Sequence, residues 1–175
     1  WWSFDAPQQA PNVPDESGLG NNGTLLDGAS FGLGRVGPFA LRLTAANGGY
    51  VALPPIAFVM EETRAAWVRT SATLNLMTLL SHGTGSAQLG DASVEFRLAD
   101  GRPQYVLSNG AMQAVLTAPA SVDDGEWHHV AVTRDALDDV TLYVDGVEVA
   151  RRRDAWAASD RAAMARGAGA VEVEA

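Results

Sequence analysis

The sequence predicts an all-β domain of short antiparallel strands, arranged as a sandwich or a barrel. Three observations predict it. Runs of β-forming residues recur at intervals of roughly 8 to 12 residues, with turn residues between them. The chain holds 18 Gly and 8 Pro, which favour turns and short strands over long helices. One hairpin is explicit: Val140–Val144 alternates, Asp145-Gly146 supplies two residues that tolerate positive φ, and Val147–Ala150 returns.

The elements follow in order. Trp2-Ser3-Phe4-Asp5 alternates and reads as a first short strand. Residues 6–23 are rich in Pro, Gly, Asn and Asp and read as a long loop. Short strands are expected at Thr24–Leu26, Phe39–Leu43 and Tyr50–Leu53, and a stronger one at Thr63–Thr70 around Trp67 and Val68. Leu76–Leu80, Val94–Leu98, Gln104–Leu107 and Ala111–Leu116 continue the series. Trp127–Arg134 is dense in β-formers and precedes the marked hairpin. Arg151-Arg152-Arg153 then forms a small basic run, and Ala155–Arg166 is Ala-rich with helical propensity, predicting a short C-terminal helix. Val171-Glu172-Val173 reads as a closing strand.

Composition excludes several classes of function. With 175 residues the chain is the size of a single domain, expected to span 1–175. At 47 % hydrophobic and 19 % charged residues it is not a disordered chain. The net charge of −9 repels nucleic acid and anionic membrane surfaces. A neutral or cationic ligand, or a divalent cation, fits this charge better. All 12 basic residues are Arg, so no lysine is present to act as a Schiff base or general base. The Arg- and Ala-rich, Lys-free composition points to a GC-rich bacterial genome. Without Cys there are no disulfides, thiolate metal sites or cysteine nucleophiles. The chain begins Trp1-Trp2, which predicts a processed product or a piece of a longer protein. The most apolar stretch, Val51–Met60, contains Pro54-Pro55 and is too short to span a bilayer.

The spacing G-x-G-x-x-G occurs at Gly18, Gly20, Gly23 and at Gly32, Gly34, Gly37, but both continue into strand-like sequence. A dinucleotide site needs a helix N-terminus there, so these read as turns. His128 and His129 are adjacent on a strand, face opposite sides and cannot chelate one metal together. Glu61-Glu62, Asp123-Asp124 and Asp138-Asp139 read as solvated turn carboxylates, and Glu95 stands alone in its strand. No pair is spaced to serve as acid and nucleophile of a glycosidase. The loop from Asp15 to Gly23 concentrates hard oxygen ligands, and Asp5 precedes it. Asp5, Asp15 and Asn21 are therefore the candidate ligands for calcium, the one cofactor expected. Asn22-Gly23-Thr24 matches a glycosylation sequon, which in a bacterial protein is only an Asn-Gly turn. Trp67 and Trp127 are expected in the core, with Trp127 anchoring it between sheets; of Trp1 and Trp2, one is expected buried and one exposed.

Several of these segments together resemble the laminin-G-like, concanavalin-A-like jelly-roll lectin family. The most specific part runs from Asp124-Gly125-Glu126-Trp127-His128-His129-Val130-Ala131-Val132-Thr133-Arg134 into Val140-Thr141-Leu142-Tyr143-Val144-Asp145-Gly146 and on to Ala150. Trp2–Asp5, the loop from Asp15 to Leu25, Tyr50–Pro54, Ala66–Thr70 and Leu79–Gly83 agree in the expected order. The likeness covers residues 1–150, and the closing segment Gly167–Val173 departs from the family pattern.

The resemblance implies a two-sheet antiparallel jelly-roll sandwich, often with calcium at one rim, in a secreted or cell-surface protein with further domains. It implies a non-catalytic module that binds a glycan or an extracellular protein, with no nucleic-acid partner and no membrane insertion. A carbohydrate-binding or adhesive role is the first expectation. A protein-interaction or structural domain without a glycan site is the second, and a glucanase-type hydrolase, lacking its carboxylates, the third. No catalytic residue and no individual ligand contact is assigned.

Overall fold

A computed structural model of the chain describes residues 1–44, 48–56, 61–83, 92–109, 113–153 and 171–174. These residues form an all-β structure in two compact units, one comprising Trp1–Ile56 with Gly169–Ala175 and the other Ala57–Ala168. The Ala155–Arg166 helix and Trp156 lie outside the described residues.

In the first unit, β1 (Asn12–Val13), β2 (Gly23–Leu26), β5 (Tyr50–Leu53) and β14 (Val171–Glu174) run side by side in the order β1-β2-β5-β14. β14 pairs antiparallel with β5 through Val171↔Leu53 to Glu174↔Tyr50, so the closing strand expected at 171–173 forms. Val13, Val51 and Leu53 are its buried apolar residues. A separate hairpin joins β3 (Ser30–Leu33) to β4 (Phe39–Arg42).

Trp2–Asp5 is not a strand. Phe4 takes φ 61°, and a 3-10 turn follows at Pro7–Gln9. Here side chains displace the ladder. The Asp5 amide donates to Ser3 Oγ at 3.2 Å, and the Ser3 hydroxyl donates to Glu16 Oε1 at 2.5 Å.

The second unit is the two-layer sandwich. One layer is β7 (Leu76–Gly83), β8 (Ala92–Ala99), β9 (Arg102–Asn109) and β10 (Gln113–Thr117), in sequence order. The other has the order β13-β12-β11-β6, from β13 (Val147–Arg152), β12 (Val140–Val144), β11 (His128–Arg134) and β6 (Glu62–Val68). Every pairing in both layers is antiparallel.

Alternation decides what each strand buries. Met77, Leu79, Val94, Phe96, Leu98, Tyr105 and Leu107 from one layer meet Val130, Val132, Val140 and Leu142 from the other. The predicted hairpin turn forms, with Asp145 at φ 51° and Gly146 at φ 80°, and Val144 opposes Val147 across it.

Candidate ligand-binding face

Strands β6 and β11 pair without interruption from His128↔Val68 to Arg134↔Glu62. Ala66, Val68, Val130 and Val132 face the core. The alternate residues Thr63, Ala65, Trp67, His129, Ala131 and Thr133 therefore share the opposite, outer face. β12 adds Thr141 and Tyr143 to that face, opposite Thr133 and Ala131. At one end the rings of Trp67 and His129 meet with centroids 5.3 Å apart, tilted by 59°. Beside them the Arg69 guanidinium lies 5.0 Å from the centroid of the Trp127 ring, within cation–π range.

Both tryptophans thus depart from the core placement expected of them. Trp67 is 40 % exposed, and Trp127 is half-buried beneath Arg69. The reason is that β11 carries apolar residues at both parities, and its smaller Val130 and Val132 face inward. Between the layers the large rings come instead from Phe96 and Tyr105.

Past the aromatic end the face becomes small and then hydroxylated. Ala65 opposes Ala131, and Thr63 opposes Thr133. It ends in an open depression of about 300 Å³ lined by Glu61, Glu62, Thr63, Thr133, Arg134 and Asp135.

Beneath this end lies a set of buried charges. The Tyr105 hydroxyl donates to Glu62 Oε1, and Arg64 donates to Glu62 Oε2 from Nε at 3.1 Å and Nη2 at 2.9 Å. Arg134 donates to Asp138 Oδ1 from Nε at 2.7 Å, and both side chains are 0 % exposed. Burial, then the Glu62 charge, pushes the Tyr105 hydroxyl well above the ordinary tyrosine range, while Arg64 and Arg134 oppose them. Glu62 and Asp138 are thus not the solvated turn carboxylates their neighbours suggested. Each has been drawn inside by an arginine: Arg64 two residues along the same strand, Arg134 four residues before Asp138. Glu95 is also buried, accepting from Thr78 Oγ1 at 2.6 Å and Arg97 Nη1 at 2.8 Å.

The two adjacent histidines take opposite sides, as their spacing requires. His128 lies between two carboxylates, with Nδ1 2.7 Å from Asp145 Oδ2 and Nε2 3.1 Å from Asp124 Oδ1. The other Asp145 oxygen accepts the His129 amide at 2.8 Å. Asp145 and then Asp124 raise the His128 pKa against the cost of burial. Asp124 is held low by the Glu126 amide and by His128, and Asp145 by His128 and the His129 amide.

The residues proposed for calcium are engaged elsewhere. Asp15 Oδ1 accepts the Ser17 amide at 2.9 Å, and Oδ2 accepts the Asn21 amide at 3.0 Å. The Ser17 contacts lead in holding Asp15 well below the usual carboxylate range. The Asn21 carbonyl accepts the Trp2 indole N–H at 2.9 Å, while Asp5 Oδ1 accepts the Phe39 amide at 2.9 Å. Gly37 makes room for Asp5, since a Cβ there would fall 1.8 Å from Asp5 Oδ2. Asp15 and Asn21 are thus joined through the loop, and Asp5 is tied to a different element. Among the described residues no three His, Asp or Glu side chains are grouped to hold a metal ion. Of the terminal tryptophans, Trp2 is half-buried and Trp1 is 68 % exposed.

Two apposed antiparallel sheets with one aromatic outer face define the class as a jelly-roll sandwich. A laminin G model, described as the concanavalin A-like lectin/glucanases superfamily, matches residues 45–171, and the chain belongs to that family. It is 46 % identical over 56 residues to human sex hormone-binding globulin, which covers 32 % of this chain and 14 % of that protein.

Among solved structures, the binding domain of Paraclostridial Mosquitocidal Protein 1 superposes with a TM-score of 0.70 at 15 % identity, covering 95 % of this chain and 43 % of the other. The Ruminococcus gnavus IT-sialidase CBM40 bound to alpha2,3 sialyllactose gives 0.55 at 21 %, covering 65 % and 63 %. At these identities the structures share the fold. The chain spans about a seventh of the globulin and less than two thirds of either structure.

Proposed function

We propose that residues 1–175 act as a non-catalytic, carbohydrate-binding or adhesive module of a secreted or cell-surface, multidomain bacterial protein. One observation carries this reading: Trp67, His129 and Tyr143 share the outer face of one sheet, with Trp67 partly open to solvent. An exposed aromatic ring offers an apolar platform to the C–H face of a sugar, and threonine hydroxyls beside it meet sugar hydroxyls. The sialyllactose complex of the CBM40 neighbour and the binding-domain name of the mosquitocidal neighbour support it. Both neighbours are named as parts of larger proteins, which supports the multidomain setting. The non-catalytic part rests on Glu62, Glu95 and Asp138, each neutralised by an arginine inside the fold.

The test is a glycan array probed with the chain and with Trp67→Ala, each with and without calcium. We expect specific signals that fall roughly 30-fold in the variant, the equivalent of about 2 kcal/mol for a central aromatic contact. Signals indifferent to Trp67→Ala would remove the face from the reading. An array without specific signals would favour a protein-interaction domain.

A further inference from the structure

Resting on that reading, we propose that the face takes an extended, uncharged glycan laid along β6 and β11, and not a single terminal or acidic sugar.

The length comes from the register. Trp67↔His129, Ala65↔Ala131 and Thr63↔Thr133 are three successive outer rows on the same two strands. At about 3.4 Å per residue, the Trp67 and Thr63 rows stand ~14 Å apart. Trp127 and Arg69 extend the strip at one end, and the depression at Glu61 and Asp135 extends it at the other, roughly 27 Å in all. One sugar ring covers one indole. A strip of this length with aromatic rings at one end and hydroxyls at the other is addressed only by a chain of several rings.

The middle row makes the strip a trough. Ala65 and Ala131 have no side chain beyond Cβ, while Trp67 and His129 stand on one side of them and Thr63 and Thr133 on the other. Tyr143 opposes Ala131 from β12 and closes the third side. A chain bound at the rings thus runs over Ala65 toward the threonines.

The charge at the hydroxyl end disfavours an acidic ligand. The hydroxyl end is rimmed by the carboxylates of Glu61 and Asp135, and Glu148 opposes Tyr143 across β12 and β13. Of the cations near this face among the described residues, Arg134 is paired with Asp138 inside the fold, Arg151 is tied to Asp139 at 3.1 Å, and Arg69 is laid over Trp127. A carboxylated sugar lying in the trough would meet acceptors where it needs donors. The hydroxyls of a neutral sugar donate to those same acceptors.

The experiment uses β-1,4-linked glucose and β-1,4-linked N-acetylglucosamine oligomers of one to six units, with alpha2,3 sialyllactose as the acidic probe. Binding is measured by calorimetry for the full chain, Ala65→Phe, Thr63→Phe and Trp67→Ala, each checked for an unchanged circular-dichroism spectrum. Positions 63 and 65 are both exposed, so a ring there fills the trough and leaves the core alone.

We expect affinity in at least one series to rise ~10-fold or more from one unit to four, a ratio of about 1.4 kcal/mol. Ala65→Phe and Thr63→Phe should bring the tetramer down to the monomer's affinity, and sialyllactose should bind more weakly than the uncharged tetramer. A monomer that binds as tightly as the hexamer, indifference to both phenylalanines, or preference for sialyllactose would overturn the proposal. Any of these together with loss in Trp67→Ala would leave the binding face standing. Absence of binding throughout, or binding indifferent to Trp67→Ala, would overturn both.

Discussion

Asp138→Asn isolates the charge of the buried pair. Asp138 sits at φ 63°, a region that asparagine tolerates, and the amide keeps an oxygen for Arg134 Nε. Shape, backbone and one hydrogen bond are retained, and only the negative charge is removed from a site where both side chains are fully enclosed. Two unit charges ~4 Å apart attract by about 4 kcal/mol at an effective dielectric near 20. Breaking a buried pair by removing one partner costs ~3–5 kcal/mol, in agreement. For a chain of 175 residues, a kilocalorie moves the melting temperature by about 2–4 °C, so the variant should melt roughly 6–20 °C lower. The assay is thermal unfolding followed by near-ultraviolet circular dichroism. Arg134→Met in the Asp138→Asn background should recover most of the loss, because no uncompensated charge then remains. A single variant melting within about 2 °C of the parent, or a double variant whose losses simply add, would refute the reasoning.

Two further outcomes are expected. The contacts of His128 with Asp145 and Asp124 raise its pKa above 6.5, so the stability they give is fully present below that value and is lost as pH rises through the raised pKa. The lowered Asp124 and Asp145 contribute above 3.8 and lose that contribution as pH falls. Stability therefore peaks between the two ranges. Melting temperature against pH should be flatter for His128→Gln, and identical profiles would contradict the clamp. Calorimetric titration of metal-stripped protein with calcium tests the Asp15 loop, where Asp15 also accepts the Ser17 and Asn21 amides. Binding heat that disappears in Asp15→Asn would assign calcium to this loop, and its absence at millimolar calcium would remove the assignment.

What the sequence discloses here depends on distance along the chain. The Asp145-Gly146 reversal was legible because two adjacent residues carry its whole cause, a tolerance of positive φ. The same signal stands at Asp100-Gly101, with φ 49° and 72° between β8 and β9, and at Asp27-Gly28, with φ 50° and 84° before β3. The reversal from β2 into β3 was therefore within reach of the sequence. The contact of Glu62 with Tyr105 was not. Arg134 opposes Glu62 only because β11 pairs with β6, and Glu62 meets Tyr105 across a sequence separation of 43 residues. Trp2–Asp5 misled because its alternation is real, but the Ser3 and Asp5 side chains bond locally and to the Phe39 amide.

The buried ions and the outer face belong to the same two strands, and that coupling has a consequence for binding. On β6, Glu62 and Arg64 point to the inner side while Thr63, Ala65 and Trp67 stand on the outer one; on β11, Arg134 is buried while Thr133, Ala131 and His129 stand outward. Alternation lets one segment hold an ionic network below and a ligand surface above. Alternative registers are penalised from below, since a slip of one residue would carry Glu62, Arg64 and Arg134 to the outer face and the threonines into the core. The spacing of Trp67, Ala65 and Thr63 is thus held by charges whose side chains lie on the inner side of the same strands. The face is rigid for the same reason that its pattern was hard to read: the residues that fix it lie on the hidden side of the strands that display it.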